Sequence, residues 1–434
     1  MDQVSLFKNL PIELRYIITN YNHRIIFILP ESELIKYDWF KLIKMNFSLT
    51  YEKDKYTNEE IMRIYYYKCC KSKIIPGTTH TIIKLADRTF IDYGDDLHVK
   101  PSRNNMSPII STQINLIPNI SEIAHGREYA IIRLKNGTIM RVAYNSFGKL
   151  AVENHYERFV FKELNEIKNV KKIVCGSYHT LILLTDGRLL AHGDNRDGQL
   201  GLEEYFFVRN IFKEIIGLPN AVSKVVCGKN YTIIMLIDGT LMSTGSNTYG
   251  QLGLGKNDMT ITFREIKGIP KNIAKITCGK YHTFILLLDG RLMSCGSNKY
   301  GQLALSDYKN RNTFTEIIVR KNIVDVTCGS NHTFILLTNG ELMSCGYNFY
   351  GQLGLRNNEN INIFTKVIGV DKNIVEVVCG FDHTIIRLMN GRILGCGFNT
   401  CGKILSWVHS IGGWNYSFSD INKYSCNERT CTIS

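Results

Sequence analysis

No run of apolar residues in this 434-residue chain reaches the ~20 needed to cross a bilayer as a helix. The opening MDQVSLFKNL is too polar for a secretory leader. A soluble, intracellular protein with no membrane partner is therefore expected. Catalytic signatures are missing too: there is no Walker loop, no HExxH, no Ser/His/Asp set and no pair of acid/base carboxylates. Enzymatic activity is accordingly not expected, nor is a cofactor or metal. Charge is not missing, since Lys and Arg outnumber Asp and Glu by 52 to 39 for a net +13. What the chain lacks is a basic tail or a Lys/Arg run of the kind that tracks backbone phosphates. The surplus is spread: residues 1–75 hold 12 basic and 9 acidic residues, residues 131–174 hold 9 and 4. A solvated basic surface accounts for this, with a basic face over the second repeat as the alternative, and nucleic acid is not the expected partner.

What the chain does have is a stretch, Cys278 to Leu303, that recurs. It reads CGKYHTFILLLDGRLMSCGSNKYGQL: an apolar run from His282, an Asp289-Gly290 turn, a second run to Cys295, and a Gly296-Ser297-Asn298 loop. That is a β-hairpin whose first strand has no polar alternation, so both of its faces must be covered by neighbouring sheets.

Cys-Gly pairs stand at Cys175, Cys227, Cys278, Cys328 and Cys379, spaced by 52, 51, 50 and 51 residues. An Asp-Gly or Asn-Gly turn begins 11 residues after each cysteine, a Gly-x-Asn follows, and the first four copies continue with Gly-Gln-Leu. Strand-like segments begin at Phe161, Phe212, Phe263, Phe314 and Phe364. Two weaker copies lie upstream, at His125-Gly126 and Pro76-Gly77. Seven copies of about 51 residues and four short strands predict an all-β, seven-bladed propeller, with motifs starting near 76, 125, 175, 227, 278, 328 and 379.

Of thirteen cysteines, five recur at one blade position and Cys295, Cys345 and Cys396 at another, a pattern that reads as packing thiols rather than a disulfide framework; Cys69-Cys70 and the Cys426/Cys431 pair have no such explanation. A zinc site is not expected, because a ring of blades spreads the repeated positions apart. His179, His282, His332 and His383 recur likewise, but Tyr231 takes the matching place in one copy. A residue that exchanges for tyrosine is expected to be a buried polar group satisfied by backbone rather than a catalytic base.

Together, CGxxHT, DGxL, GxN and GQLGL resemble the repeat of the regulator of chromosome condensation family, over about residues 61–434. The resemblance implies a seven-bladed propeller. It also implies a candidate small-GTPase partner, because the founding member exchanges nucleotide on a Ran-type GTPase through a wedge inserted from one blade, and binds nucleosomes. The repeats here stay between 49 and 52 residues, with no insertion to build such a wedge, and the basic tail that helps hold chromatin is missing. Exchange and chromatin binding therefore stand behind a scaffold role.

Residues 1–60 are expected to form a separate helical segment. Leu10-Pro11 opens a helix striped by Leu14, Ile17 and Ile18, and a second helix over Glu31 to Asn46 brings Leu34, Trp39, Leu42 and Ile43. Leu6-Phe7 through Leu10, Pro11, Leu14 and Ile17 resemble the start of an F-box. That resemblance implies a Skp-type linker and cullin as partners and a ubiquitin-ligase adaptor role; a helical cap on the propeller is the alternative. Two segments compete to complete the last blade, Ile61 to Tyr67 and Tyr416 to Ile421.

The expected function is non-enzymatic recognition of a protein partner by a monomeric propeller. The expected contact residues are those after each Gly-x-Asn: Arg196 and Asp197, Tyr249, Lys299 and Tyr300, Phe349 and Tyr350. The aromatic members have an alternative role in packing the blades.

Overall fold

Blade four shows why the repeat folds as it does. In the computed structural model its strands are Ile273–Cys278, His282–Leu287, Leu292–Gly296 and Arg311–Ile317, antiparallel in sequence order. The second strand, HTFILL, is buried at every position, as a strand without polar alternation requires. Its turn to the third strand is a hairpin loop in which the Gly290 amide reaches Leu287 O at 3.1 Å and Gly290 takes φ +87°. Glycine enters that left-handed region without the clash a Cβ would cause.

The structure describes residues 36–94, 114–143, 160–398 and 414–421, with gaps at 48–49, 55, 70–73, 77–79, 85–89, 116, 128, 165, 204–207 and 320–321, together with single positions before 36. Among these residues, six four-stranded blades occupy 120–163, 170–214, 222–265, 273–317, 323–366 and 374–420. The first copy gives a three-stranded sheet instead, Ile74–Pro76, His80–Lys84 and Phe90–Gly94. The expectation of seven equal blades is thus corrected to six full blades and one shorter sheet. At the outer edge of that sheet the Asn115 carboxamide takes both backbone bonds of Phe90, accepting from its N–H at 2.7 Å and donating to its carbonyl at 3.0 Å.

Sheets are tied to neighbours by one recurring contact. The histidine opening each second strand meets a threonine hydroxyl of the next blade: His179 to Thr232 at 3.1 Å, His282 to Thr333 at 3.1 Å and His332 to Thr384 at 3.0 Å. The Nε2 of each of these histidines is bonded to a side chain rather than to backbone, the partner the sequence reading expects. Where tyrosine replaces histidine the hydroxyl reaches further, and Tyr231 donates to His282 O at 2.6 Å. His383 meets Thr81 of the three-stranded sheet at 2.7 Å, and His125 of blade one meets Ile75 O at 2.9 Å. The short sheet therefore sits between blade six and blade one, with Ile74, Ile83, Val378 and Ile385 in one apolar cluster.

Trp414–Asp420 is the outer strand of blade six. Its rival, Ile61 to Tyr67, lies inside a helix, so the reading of it as a strand is corrected. Helix α1 is Trp39–Phe47 and helix α2 is Asn58–Cys69. Helix α2 starts with a reciprocal capping box: the Thr57 amide reaches Glu60 Oε2 at 2.8 Å and the Glu60 amide reaches Thr57 Oγ1 at 3.2 Å. That cap overrides the β-favouring run that follows it. It also carries the helical segment past the expected boundary at residue 60. Asp38 caps helix α1, accepting from the Lys41 amide at 3.1 Å, and the expected start at Glu31 lies outside the described residues. Trp39, Leu42, Ile43, Ile61 and Tyr65 form the segment's core, to which Val324 of blade five is packed. Glu60 Oε1 accepts from Thr338 Oγ1, in the second hairpin turn of blade five, at 3.1 Å.

No helix among the described residues is long and apolar enough to cross a membrane.

Candidate functional site: the loop face of the propeller

Inner strands run toward one face and end there at the Cys-Gly pairs; third strands end on the same face at the Gly-x-Asn loops. The hairpin turns, and with them Thr338 and its helical neighbour Glu60, lie on the opposite face.

At the inner edge, a chain of backbone hydrogen bonds runs from blade to blade. The amides of Arg127, Ser177, Lys229 and Lys280 donate to the carbonyls of Ser177, Lys229, Lys280 and Ser330 at 3.0–3.4 Å, and that of Ser330 donates to Gly380 O at 3.2 Å. The approach is close enough to demand glycine. A Cβ on Gly329 would lie 2.1 Å from His332 Cε1 and 2.6 Å from Gly380 O.

Further out, the Asn and Gln of GxNxxGQL act as a staple. In blade four Asn298 Oδ1 accepts from the Leu303 amide at 2.9 Å, its Nδ2 donates to Asp307 O at 2.7 Å, and Gln302 Oε1 accepts from the Tyr300 amide at 2.9 Å. Both side chains are fully buried. Asn195/Gln199, Asn247/Gln251 and Asn348/Gln352 repeat the arrangement. The Gln302 carbonyl also accepts from Thr333 Oγ1 of the next blade at 3.0 Å. The two residues inside the staple are thus displayed on fixed backbone.

Those residues are the expected contacts. Tyr300 packs on Tyr347 at 4.7 Å, Tyr347 stacks with Phe349 at 6.4 Å, Phe349 meets Tyr350 at 5.1 Å, and Tyr350 meets Phe398 at 4.8 Å. An aromatic run therefore crosses blades four, five and six, with Phe349 45% exposed and the Lys299 ammonium 5.5 Å from the Tyr300 ring centre. Burial, with Asp382, Tyr350 and Tyr300 adding, pushes the Tyr347 hydroxyl up to about 12. Tyr249 packs separately on Tyr281 at 5.0 Å. Arg196 and Asp197 do not join the run: Arg196 is forked onto buried Asp194 at 2.8 Å, and Asp197 accepts from Asn230 at 2.8 Å. Sequence reading missed Tyr281, Tyr347 and Phe398. The first precedes the repeat histidine and the other two are the x of Gly-x-Asn, so their place was readable, but not that they meet the neighbouring loops.

The repeat cysteines pack inward. Cys295, Cys345 and Cys396 donate to the carbonyls of Gln251, Gln302 and Gln352 at 3.4–3.6 Å, and burial pushes the thiols of Cys175, Cys278 and Cys379 up to about 12. Cys227 and Cys328 are raised likewise by burial. Of the F-box-like positions, Leu10 is part-buried against the helical core, whereas Pro11, Leu14 and Ile17 lie outside the described residues.

Residues 170–199, 222–251, 273–302, 323–352 and 374–403 match the model of the regulator of chromosome condensation (RCC1) repeat, and a second model of that description matches 238–286, 289–336 and 339–386. The chain carries RCC1 repeats. Its first two copies, near 76 and 125, fall outside the matched residues. Over 89 residues the RCC1-repeat chain is 34% identical to the X-linked retinitis pigmentosa GTPase regulator homolog of Caenorhabditis elegans, covering 20% of this chain and 6% of that protein. Over 166 residues it is 31% identical to the secretion-regulating guanine nucleotide exchange factor of Bos taurus, covering 38% of this chain and 25% of that protein. A quarter or less of each relative is thus matched. The crystal structure of Prp20p from Saccharomyces cerevisiae, described with its binding properties to Gsp1p and histones, superposes with a TM-score of 0.60 at 18% identity, over 70% of this chain and 76% of that one.

Proposed function

We propose that the chain is a non-enzymatic docking propeller that recognises a protein partner through its loop face, centred on Tyr300, Tyr347, Phe349 and Tyr350. The observation that carries this is a half-buried aromatic run with Phe349 exposed at its centre, held on stapled backbone, the kind of rigid apolar anchor that concentrates binding energy. The partner class with most support is a small GTPase, since two relatives are named as a GTPase regulator and a guanine nucleotide exchange factor. Regulation or exchange on a Ran-type GTPase fits this reading as well as passive scaffolding does; histones, named with Prp20p, come after it. The three-stranded sheet serves as a seventh blade, supported by its contacts with His383 of blade six on one side and His125 of blade one on the other. Eight unpaired thiols among the described residues favour a reducing, intracellular compartment. A second reading, an adaptor for a Skp-type linker and cullin, is favoured by the docking of the helical segment on the face opposite the aromatic run, which leaves that run open to a substrate.

Affinity capture followed by nucleotide-release assays tests these readings. The wild-type chain and a Phe349→Ser/Tyr350→Ser variant are compared on nucleotide-free small GTPases. Loss of the two anchors is expected to weaken capture at least about 30-fold, as removal of ~2 kcal/mol or more at a hot spot does. Equal capture by both proteins would move the partner surface elsewhere. A Skp-type linker that is recovered with the wild type but not with a Leu10→Ala/Pro11→Ala variant would favour the adaptor reading.

A further inference from the structure

The residue after each Cys-Gly or His-Gly pair stands at the mouth of the central channel. Going round the described blades these are Arg127, Ser177, Lys229, Lys280, Ser330 and Phe381: three cations, two buried hydroxyls, one aromatic ring and no carboxylate. The cations are crowded. The ammonium groups of Lys229 and Lys280 both lie over the Tyr281 ring, 5.5 and 5.3 Å from its centre, and Lys280 is also 5.2 Å from the centre of Phe381. Arg127 lies over Tyr178 and donates to its hydroxyl. Among the described residues neither lysine has a carboxylate within ion-pair distance; Lys229 donates to the Tyr281 hydroxyl at 3.2 Å. Burial, then repulsion from Lys229 and Arg127, holds the Lys280 ammonium below its ordinary pKa, opposed in part by Asp382, which accepts from Gln352 Nε2 at 3.3 Å.

The channel behind this mouth, about 1350 Å³, is lined by seven Lys and Arg side chains, of which Lys275 is paired with buried Asp325 at 2.6 Å, and by one carboxylate, Glu122, which is taken by Lys172 at 2.9 Å and Arg133 at 2.8 Å. Low-dielectric walls of one sign focus their field on the opening. Like charges crowded over shared rings cost stability unless something of opposite sign lies between them. The six positions come from six different blades and converge only because the ring closes.

We infer that the channel mouth is a binding site for a polyvalent oxyanion of the phosphate class, gripped by Arg127, Lys229 and Lys280, with the Ser177 hydroxyl between Arg127 and Lys229 and the Ser330 hydroxyl next after Lys280. A tetrahedral oxyanion offers several acceptors at once, which suits donors arriving from several directions. The anion is either a free small polyphosphate or a phosphoryl group carried on a partner's segment. The site does not depend on the aromatic run.

Calorimetry with the full chain at about 150 mM salt, where exposed charges are largely screened, tests this. The probes are pyrophosphate and inositol hexakisphosphate, and in a second arm a phosphoserine peptide and its unphosphorylated form. Binding is expected to weaken at least about 30-fold in a Lys229→Gln/Lys280→Gln variant, the loss of two charge-assisted hydrogen bonds, and to be unchanged in Lys213→Gln/Lys267→Gln. The mouth variant is expected to melt no lower than the wild type, since it relieves repulsion. Tighter binding of the phosphopeptide than of either small probe assigns the anion to a partner, and the reverse assigns it to a free ligand. No binding of any phosphate probe, or equal loss in both variants, would overturn the inference.

Discussion

Lowering the pH from 7 to 5 is expected to remove a large part of the stability of this protein, well before its carboxylates titrate. Burial holds His179 at about 4 and His282 and His332 at about 3; Asp194 slightly favours the charged form of His179, and His332 disfavours that of His282. An unfolded histidine titrates near 6.5. Below that pH the unfolded chain binds protons that the folded chain refuses, so stability is fully present above pH 6.5 and falls with pH until the folded values are reached. Each ring loses ~1.4 kcal/mol per pH unit, and the three together lose on the order of 5 kcal/mol by pH 5, against a typical total of about 5–15. The physical cause is legible in the geometry: Nε2 is committed to the next blade's threonine, while Nδ1 of His179 and His282 is buried with no hydrogen-bond partner. Urea midpoints at pH 7, 6 and 5 check this. A midpoint that holds constant over that range would mean the histidines titrate normally and are not sealed in.

Gly329→Ala is expected to be a strongly damaging addition of a single methyl group to the repeat. The new Cβ meets the His332 ring and the Gly380 carbonyl, and neither can yield cheaply. The ring is fixed by Thr384 and the carbonyl belongs to the next blade. Overpacking of a well-packed site costs about 1–3 kcal/mol, and breaking the His332–Thr384 bond adds about 1–3 more. Gly290→Ala makes a sharp control. It has open space around its Cβ and is opposed only by φ +87°, so a cost of about 1–2 kcal/mol is expected. Combining Gly329→Ala with His332→Ala should cost less than the sum of the single changes, because the ring clash disappears while the carbonyl clash stays. Strict additivity would show that the close approach at this loop is not what requires glycine.

The strand order of the propeller could be read from the period because each strand's pattern is local: His282 to Leu287 is apolar throughout and Asp289-Gly290 marks its turn. The helix over Ile61 to Tyr67 was misread because Ile61, Ile64 and Tyr65 to Tyr67 favour strands by side-chain type. The contrary signal, Thr57-Asn58-Glu59-Glu60, was present just upstream. The aromatic run was half legible. Tyr300, Phe349 and Tyr350 follow a visible motif, but Tyr347 and Phe398 join them only once neighbouring loops lie side by side. The channel-mouth cations were not legible at all. Arg127, Lys229 and Lys280 are isolated letters about 50 or 100 residues apart, and a charge count over linear windows averages them away.

Among the described residues every sheet is built from one stretch of chain, and blade six is completed by Trp414–Asp420, which follows its own third strand, rather than by a strand borrowed from upstream. The joint between that blade and the three-stranded sheet rests on His383, Thr81 and a small apolar cluster, with no shared strand. An in-register gain or loss of one period in the gene would therefore leave all remaining sheets whole. The number of wedges in such a wheel is limited by the angle each one fills and not by how the chain is threaded.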